Sequence, residues 1–199
     1  MSATKIKLPS PSFEGGLSVE GALLARRSIR SYRDEALELR HASQLLWAAQ
    51  GVTRPDGHRT CPSAGALYPM ELHLAVGRVD GLPSGTYRYL PEEHLLVQSL
   101  SQDVRPALAN AALGQSMVAK APLVIVLCAV YKRITRKYGE RGQRYVFMEA
   151  GHAAQNIHLQ AVSLHLGTVV VGAFQDERIK SVMQLEEDEE ALYLMPTGR

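Results

Sequence analysis

The sequence predicts an α+β domain in which helices flank a mixed central sheet. Apolar residues recur every three or four positions in 39–49 and in 144–166, as they do on the buried faces of helices. Residues 122–130 are continuously apolar, which is typical of a central strand covered on both faces. The other strand and helix patterns do not alternate regularly, which argues against a parallel βαβ sheet.

At the N-terminus, the pattern predicts an extended arm over residues 1–17 and one domain over 18–199. The arm contains prolines and paired glycines and shows no periodicity. Ser18 can cap a helix that spans about residues 19–28, because a serine side chain can accept a hydrogen bond from the first free backbone N–H groups.

The rest of the chain alternates between short strands, helices and one long loop. The helix at 39–49 ends at Gly51, and residues 52–69 follow as an irregular segment. A loop of that length inside a domain is usually functional. The further predicted strands are 72–76, 87–90, 95–98, 168–173 and 191–196, and the further predicted helices are 103–113 and 177–185, the latter capped by Asp176.

The helix at 144–166 carries two stripes. Its apolar stripe includes Phe147, and its polar stripe includes Glu149, His152 and Asn156. We expect both stripes to be buried, as in a helix at the centre of a domain or of a dimer. The polar stripe is interpreted as a hydrogen-bonded buried network.

The composition favours no polymeric or membrane partner. Lys plus Arg number 22 and Asp plus Glu number 20, so the formal charge is only +2 and gives no reason to expect nucleic acid. The longest apolar run, 121–130, is about half of a membrane span. No apolar run follows the N-terminal lysines, so we expect no signal peptide and a cytoplasmic location. Cys61 and Cys128 have no metal or disulfide spacing, and we interpret them as small buried side chains.

Several common catalytic motifs are missing from the sequence. It contains neither the glycine-rich dinucleotide fingerprint nor the phosphate-binding loop with its lysine. It also lacks the zinc-protease helix motif and the serine-hydrolase elbow. These absences argue against the corresponding enzyme classes, and no metal site is predicted.

The first candidate site is the segment 26–33, which holds four arginines and two serines. The guanidinium fork matches a phosphate, and a serine adds a neutral donor, so a phosphate-bearing ligand is the natural partner. The alternatives are a solvated basic helix end and, less consistent with the near-neutral charge, a nucleic-acid surface.

Two further segments could approach a flat ligand closely. In 61–69, prolines enclose small residues, which can bring backbone N–H groups near a planar or anionic group. In 170–174, a glycine stands at a strand end, where it permits a ring system to approach. The structural alternatives are a simple turn and a β-bulge.

Seven motifs, in this order, resemble the nitroreductase family, and within it the SagB-type dehydrogenase branch. The similarity runs from about Leu8 to the last residue. The motifs are R-R-S-I-R at 26–30, L-L-W-A-A-Q-G at 45–51, P-S-A-G-A-L-Y-P at 62–69, K-Y-G-E-R-G-Q-R-Y at 137–145, E-A-G-H-A-A-Q-N at 149–156, V-G-A-F at 171–174 and P-T-G-R at 196–199.

The resemblance implies a nitroreductase-like α+β fold in an intertwined homodimer, with FMN (flavin mononucleotide) bound at the dimer interface. It implies an oxidoreductase that takes a hydride from NAD(P)H and passes electrons to a small organic acceptor. In such a scheme, Arg26, Arg27 and Ser28 match the phosphate and ribityl contacts. Arg199 matches a C-terminal basic contact to the phosphate, and Arg30 matches a catalytic cation near flavin N1 and O2.

The remaining matched positions surround the flavin ring. Ala66 stands where many nitroreductases carry Asn, so its side chain offers no polar contact there. Gln115 matches an amide that contacts the ring. The loop that reaches the flavin of the other chain corresponds to Pro62, Ser63, Ala64 and Gly65, and the segment beside flavin N5 corresponds to Val171, Gly172 and Ala173.

Three further functions stay open at this point. Some members of the branch oxidise azoline rings in peptides to azoles and use a Lys-Tyr pair as base. The candidate pairs here are Lys137 with Tyr138 and, less literally, Arg144 with Tyr145. The protein could also be a flavin-binding module without turnover, or a basic nucleic-acid binder that uses the segment 26–33.

Overall fold

The computed structural model describes residues 4–199, in which a seven-stranded antiparallel sheet lies between two layers of helices. The order across this sheet is β1-β6-β5-β3-β7-β9-β8, and β2 pairs with β4 separately. The strands are β1 (Lys5–Lys7), β2 (Leu37–Glu38), β3 (Met70–Val76), β4 (Val79–Asp80), β5 (Gly85–Leu90), β6 (Leu95–Leu100), β7 (Leu123–Ala129), β8 (Gly167–Thr168) and β9 (Glu190–Gly198).

The predicted mixture of strand directions lies outside the seven-stranded sheet. Every ladder in that sheet is antiparallel. Parallel pairing occurs between β2 and β4 and at a bridge from Ser28 to Thr168. A parallel neighbour requires a crossover of about a dozen residues or more, whereas the turn between β5 and β6 is short.

The helices divide between the two faces of the sheet. Helices α2, α5 and α6 pack on one face, and α3, α4 and α7 pack on the other. Their bounds are α1 (Val19–Ala25), α2 (Leu39–Gln50), α3 (Arg105–Ala111), α4 (Ser116–Lys120), α5 (Lys132–Tyr138), α6 (Arg141–Ser163) and α7 (Asp176–Met183). None of the helices within residues 4–199 is both long enough and apolar enough to cross a membrane.

Strand β7 confirms the prediction of a central strand covered on both faces. Leu123, Ile125 and Leu127 point into the core beneath α2 and α6. Val124 and Val126 point into the core beneath α3 and α7. All of these side chains are fully buried, so each contributes roughly 2 kcal/mol of apolar burial.

The first helix begins where the sequence predicts but ends earlier. The Ser18 hydroxyl accepts a hydrogen bond from the Gly21 backbone N–H at 3.1 Å, which confirms the cap. The helix stops at Ala25, not near residue 28, because Arg26 adopts extended backbone angles. The chain then turns toward the sheet, where the Ile29 N–H donates to the Thr168 carbonyl at 3.0 Å.

The strand predicted at 168–173 is mostly absent. Regular pairing ends at Thr168, and beyond it only Val171 forms an isolated bridge, to Leu194 of β9. The sequence pattern there is apolar enough for a strand, but a strand requires a continuous partner.

The prediction for the long helix needs two corrections. Helix α6 spans Arg141–Ser163, three residues earlier at each end than predicted. Glu149 is buried as expected, but Phe147 is 56% exposed and His152 is also exposed, so the stripes are not fully buried within one chain. Helix α7 also differs from its prediction at 177–185 with Asp176 as the cap: it spans Asp176–Met183, and Gln175 is its cap residue.

The segment before α1 is attached to the domain. Its first described strand, β1, pairs with β6, and residues 1–3 of the predicted arm lie outside the described residues. The Ser43 hydroxyl donates to the Pro9 carbonyl at 2.6 Å. The Gln44 amide exchanges hydrogen bonds with the backbone of Ser12.

Candidate functional site

The predicted phosphate-binding segment lies against the last strand of the sheet. Ser28 bridges to Thr168, and the Arg33 backbone N–H donates to the Arg199 carbonyl. The Tyr32 hydroxyl donates to the Pro196 carbonyl at 2.8 Å. The segment that holds Arg26 and Arg27 and the distant Arg199, which the sequence assigned to the phosphate, therefore meet at the same end of the sheet.

The arginines of this segment have no carboxylate partners in the described part of the chain. No ion pair within residues 4–199 involves Arg26, Arg27 or Arg30. The Arg27 guanidinium donates to the Leu24 and Arg26 carbonyls, at 2.9 and 2.7 Å. Arg199 lies 3.5 Å from the exposed Glu38. Arg27, Arg30 and Arg33 are exposed and Arg26 is half-buried. Arginines of this segment that form no ion pair with the described residues suit an external anion such as a phosphate.

His158 lies close to this group and was not identified from the sequence. It is 6% exposed, on the C-terminal half of α6. Burial, reinforced by the positive charge of Arg26, lowers the pKa of His158 to about 4. The imidazole is therefore neutral near pH 7 and adds no further positive charge beside Arg26.

The loop predicted to contact a flavin ring lies against α5. Ala64–Ala66 form a 3-10 turn in which Gly65 has φ +65°. A Cβ atom at Gly65 would lie 2.7 Å from the Tyr138 hydroxyl and 3.0 Å from Lys137 Nζ. The Tyr138 and Tyr145 rings meet edge to face, with centroids 5.2 Å apart. Of the two candidate basic pairs, Lys137 and Tyr138 are the residues that contact this turn.

Internal hydrogen bonds within residues 59–68 stabilise the shape of this loop. The Ser63 hydroxyl accepts the Tyr68 backbone N–H at 2.9 Å. The Arg59 guanidinium stacks over the Tyr68 ring at 4.5 Å, and the Arg59 backbone N–H donates to the Tyr68 hydroxyl at 3.2 Å. Ser63, assigned from the sequence to the cofactor, thus has its hydroxyl engaged within the protein, and Pro62 is exposed beside it.

The two cysteines are buried, as predicted. Both Cys61 and Cys128 are fully inaccessible. Burial raises the pKa of the Cys61 thiol to about 12, and the nearby Glu149 adds to that shift. A thiol that stays protonated at physiological pH is a poor nucleophile, which supports the interpretation of Cys61 as a structural residue.

Gln115 and the segment Val171–Ala173 form a third part of the predicted site. The Gln115 side-chain amide donates to the Ala112 carbonyl at 2.9 Å and to the Ala173 carbonyl at 3.0 Å. Gly172 is exposed, and a Cβ atom there would meet only the Tyr193 ring, at 3.5 Å. Gln115 therefore supports the backbone at Ala173, and Gly172 leaves open space that a flat ring could use.

One chain does not bring all the predicted residues together. The loop at 62–66 lies against Tyr138 at the end of α5, and Tyr138 packs on Tyr145 near the start of α6. Arg26, in contrast, lies near His158 in the C-terminal half of α6. Tyr145 and His158 are about 20 Å apart along the helix axis at 1.5 Å per residue.

A large cavity lies beside Arg199 but is separate from most of the predicted residues. It has a volume of about 800 Å³ and lies between residues 10–19, α2 and the C-terminal half of α6. Arg199 is the one predicted site residue that lines it, beside His41, Trp47 and His165.

Comparisons with known proteins agree with the fold and the motifs. The model of the Nitroreductase family matches residues 23–199. A protein of Methanocaldococcus jannaschii that is named as a nitroreductase is 49% identical over 183 residues, which cover 92% of this chain and 91% of the relative. A crystal structure from Ralstonia eutropha, described as a nitroreductase, has a TM-score of 0.86 at 33% identity, over 98% of this chain and 89% of that one.

A third relative is named as a processing protein. The microcin B17-processing protein McbC of Escherichia coli is 29% identical over 157 residues, which are 76% of this chain but 58% of McbC. The family match and the close relatives decide the assignment: this chain belongs to the nitroreductase family of oxidoreductases.

Proposed function

We propose that the protein is an FMN-dependent oxidoreductase that takes a hydride from NAD(P)H and passes electrons to a small organic acceptor in a ping-pong cycle. The observation that carries the proposal is the group of arginines at 26–33 without carboxylate partners, next to Arg199 and the 167–173 segment. When bound, FMN supplies the hydride-accepting ring atom that the side chains of this protein lack.

The residues of the arginine segment have separate roles in this proposal. Arg26, Arg27 and Ser28, with Arg199, hold the phosphate and ribityl groups, since guanidinium groups match phosphate oxygens. Arg30 places its charge where negative charge develops on the ring during reduction, which stabilises the reduced state electrostatically. Gly172 leaves the space that the ring needs.

A homodimer completes the site in this proposal. The loop at 62–66 and the arginine segment lie at opposite ends of α6, so antiparallel pairing of α6 with its copy would bring the loop of one chain to the arginines of the other. Large apolar side chains are available to such an interface, because they are exposed in the single chain: Phe13, Leu17, Val19, Leu23, Leu24, Phe147 and Met148.

The visible spectrum of the purified protein tests this function. We expect a yellow protein whose flavin bands bleach on anaerobic addition of NADH or NADPH, and the faster donor is the physiological one. A yellow protein that does not bleach with either donor would contradict the oxidoreductase cycle and favour a flavin-binding role without turnover. A colourless protein that takes up no added FMN would refute the proposal.

A second candidate is supported by the position of Lys137 and Tyr138. The Tyr138 hydroxyl and Lys137 Nζ both lie next to the Cβ position of Gly65 in the predicted flavin loop. The related McbC is named as a protein that processes microcin B17. Oxidation of an azoline ring to an azole removes a hydride, which bound FMN would accept, and a proton, which the Lys137–Tyr138 pair would take as the base.

A synthetic azoline peptide distinguishes the two candidates. If the second holds, the protein converts the peptide to its azole, and Tyr138→Phe abolishes the conversion whereas Tyr145→Phe retains it. No conversion by a flavin-loaded protein that NAD(P)H reduces would exclude peptide oxidation by this chain alone and leave the first candidate.

A further inference from the structure

A buried carboxyl group lies behind the loop at 62–66. Glu149, on α6, is 2% exposed. Its Oε1 atom accepts a long hydrogen bond, 3.5 Å, from the side-chain amide of Gln50, which is itself fully buried at the end of α2. Its Oε2 atom is buried and has no hydrogen-bond partner among the described residues. Buried carboxyl oxygens are rarely left without partners, so this one calls for an explanation.

The Ser63 hydroxyl connects this carboxyl to the loop. It accepts the Tyr68 backbone N–H, so its own proton needs an acceptor. Ser63 and Gln50 both lower the pKa of Glu149 against the larger effect of burial, although the Ser63 and Glu149 side chains do not meet hydrogen-bond geometry in this structure. Gln50 donates to Glu149, and the free Ser63 proton could also be donated to Oε2. An ionised carboxylate can accept from both groups, whereas a protonated one has less capacity.

We propose that Glu149 is a positioning residue: its carboxylate holds the Ser63 hydroxyl, and thereby keeps the turn Ala64–Ala66 in the shape that receives the cofactor. This inference rests on the proposed function, because the loop is assigned to FMN there. Glu149 itself has no contact with the cofactor in this role. Cys61, which comes directly before the loop at 62–66, also contacts α6 at Glu149: its Sγ lies 3.7 Å from the Glu149 backbone carbonyl oxygen.

This support should depend on pH. Burial raises the pKa of Glu149 to about 7, against the opposing hydrogen bonds of Ser63 and Gln50 and the charge of Arg59. The charged and titratable groups that face it from the loop are the Arg59 guanidinium and the Cys61 thiol, which stays neutral; α2 contributes the neutral Gln50 amide. Below neutral pH the carboxyl is protonated and binds Ser63 less strongly.

The dissociation constant of FMN, measured by fluorescence quenching across pH, tests the inference. Glu149→Gln reproduces the protonated carboxyl at every pH. We expect it to bind FMN about tenfold more weakly than wild type at about pH 8.5 and almost equally at about pH 5.5. Ser63→Ala should show the same pattern. The FMN phosphate also titrates near pH ~6, but it does so in every variant, so comparisons at equal pH cancel it.

Glu140→Gln, at the exposed start of the same helix, is the matched control and should follow wild type. If Glu149→Gln also follows wild type at every pH, the inference is overturned.

Amide hydrogen exchange supplies a readout that does not need the cofactor. In the flavin-free protein above pH ~8, we expect the Tyr68 amide to be protected in wild type and less protected in Glu149→Gln and Ser63→Ala, with β7 unchanged. Equal protection in all variants would refute the positioning role. Failure of every variant to bind FMN would instead refute the proposed function, and the exchange data would still decide this inference.

Discussion

Arg30 is the residue whose charge the proposed cycle uses most directly. We expect Arg30→Met to slow flavin reduction by NAD(P)H by about 100-fold, because one fixed charge that stabilises developing negative charge is worth roughly that much. FMN affinity should change far less, since Arg26, Arg27 and Arg199 remain. Anaerobic stopped-flow absorbance measures the reduction rate. Arg178→Met, on α7, is the control, and a wild-type rate in Arg30→Met would exclude the assigned role.

The ionisation of the buried Glu149 carboxyl should also change the stability of the folded protein with pH. Its pKa is raised from 4.5 to about 7 in the folded protein, so the unfolded chain loses this proton first as pH rises. Stability contributed by this group is therefore present below pH 4.5 and is lost as pH rises toward 7.

Glu149→Gln, which cannot ionise, should then be more stable than wild type at about pH 8, by up to about 3 kcal/mol at 1.36 kcal/mol per pKa unit. Below pH ~4.5 the two proteins should unfold alike. Urea unfolding at several pH values provides the measurement. A variant that is less stable than wild type at about pH 8 would show that burial of the charge carries no net cost.

The loop at 62–66 and helix α5 meet at Gly65. Gly65→Ala adds a methyl group where Tyr138 and Lys137 already lie, so we expect it to displace the turn and weaken FMN binding about tenfold or more. Gly57 lies in the same long loop with φ +85° and open space around its Cβ position, so Gly57→Ala shares the backbone strain without the contact. Isothermal titration with FMN compares the two, and equal losses would assign the effect to strain alone.

The predicted and observed helices and strands can be compared to show which elements the sequence pattern was able to predict. Strand β7 was predictable because each of its residues is apolar and both faces are covered. Helix α5 was missed because only Ile134 among its residues is fully buried, which leaves no periodic stripe. The strand predicted at 168–173 was wrong beyond Thr168, because its length depends on where β9 offers a partner and not on its own residues.

The same limit applies to the candidate site. Motifs identified the arginine segment, the loop and Arg199, because chemistry-bearing residue types cluster there in the sequence. The pKa of His158 is lowered by burial and further by Arg26, and the proposed role of Glu149 depends on Ser63 and Gln50. These neighbours are tens of residues apart in the sequence, so spacing along the chain contains no signal for them.

For the whole molecule, the main prediction concerns association. Leu24 is 78% exposed on α1 and apolar, so Leu24→Arg should weaken a dimer that buries it and reduce FMN binding in the same concentration range. Ala107→Arg, at an exposed position of α3, is the control. Sedimentation velocity across a dilution series gives the oligomeric state. A Leu24→Arg protein that becomes monomeric yet binds FMN as wild type does would show that one chain is sufficient.

The separation of the arginine segment from the loop along α6 has a genetic consequence. If each site takes one half from each chain, Arg30→Met and Gly65→Ala damage different halves. Exchange of subunits between these two defective proteins would then create mixed dimers with one site free of both lesions and one site carrying both. Statistical mixing should restore roughly a quarter of wild-type activity, as complementation between alleles of a single gene. A site contained in one chain would restore none.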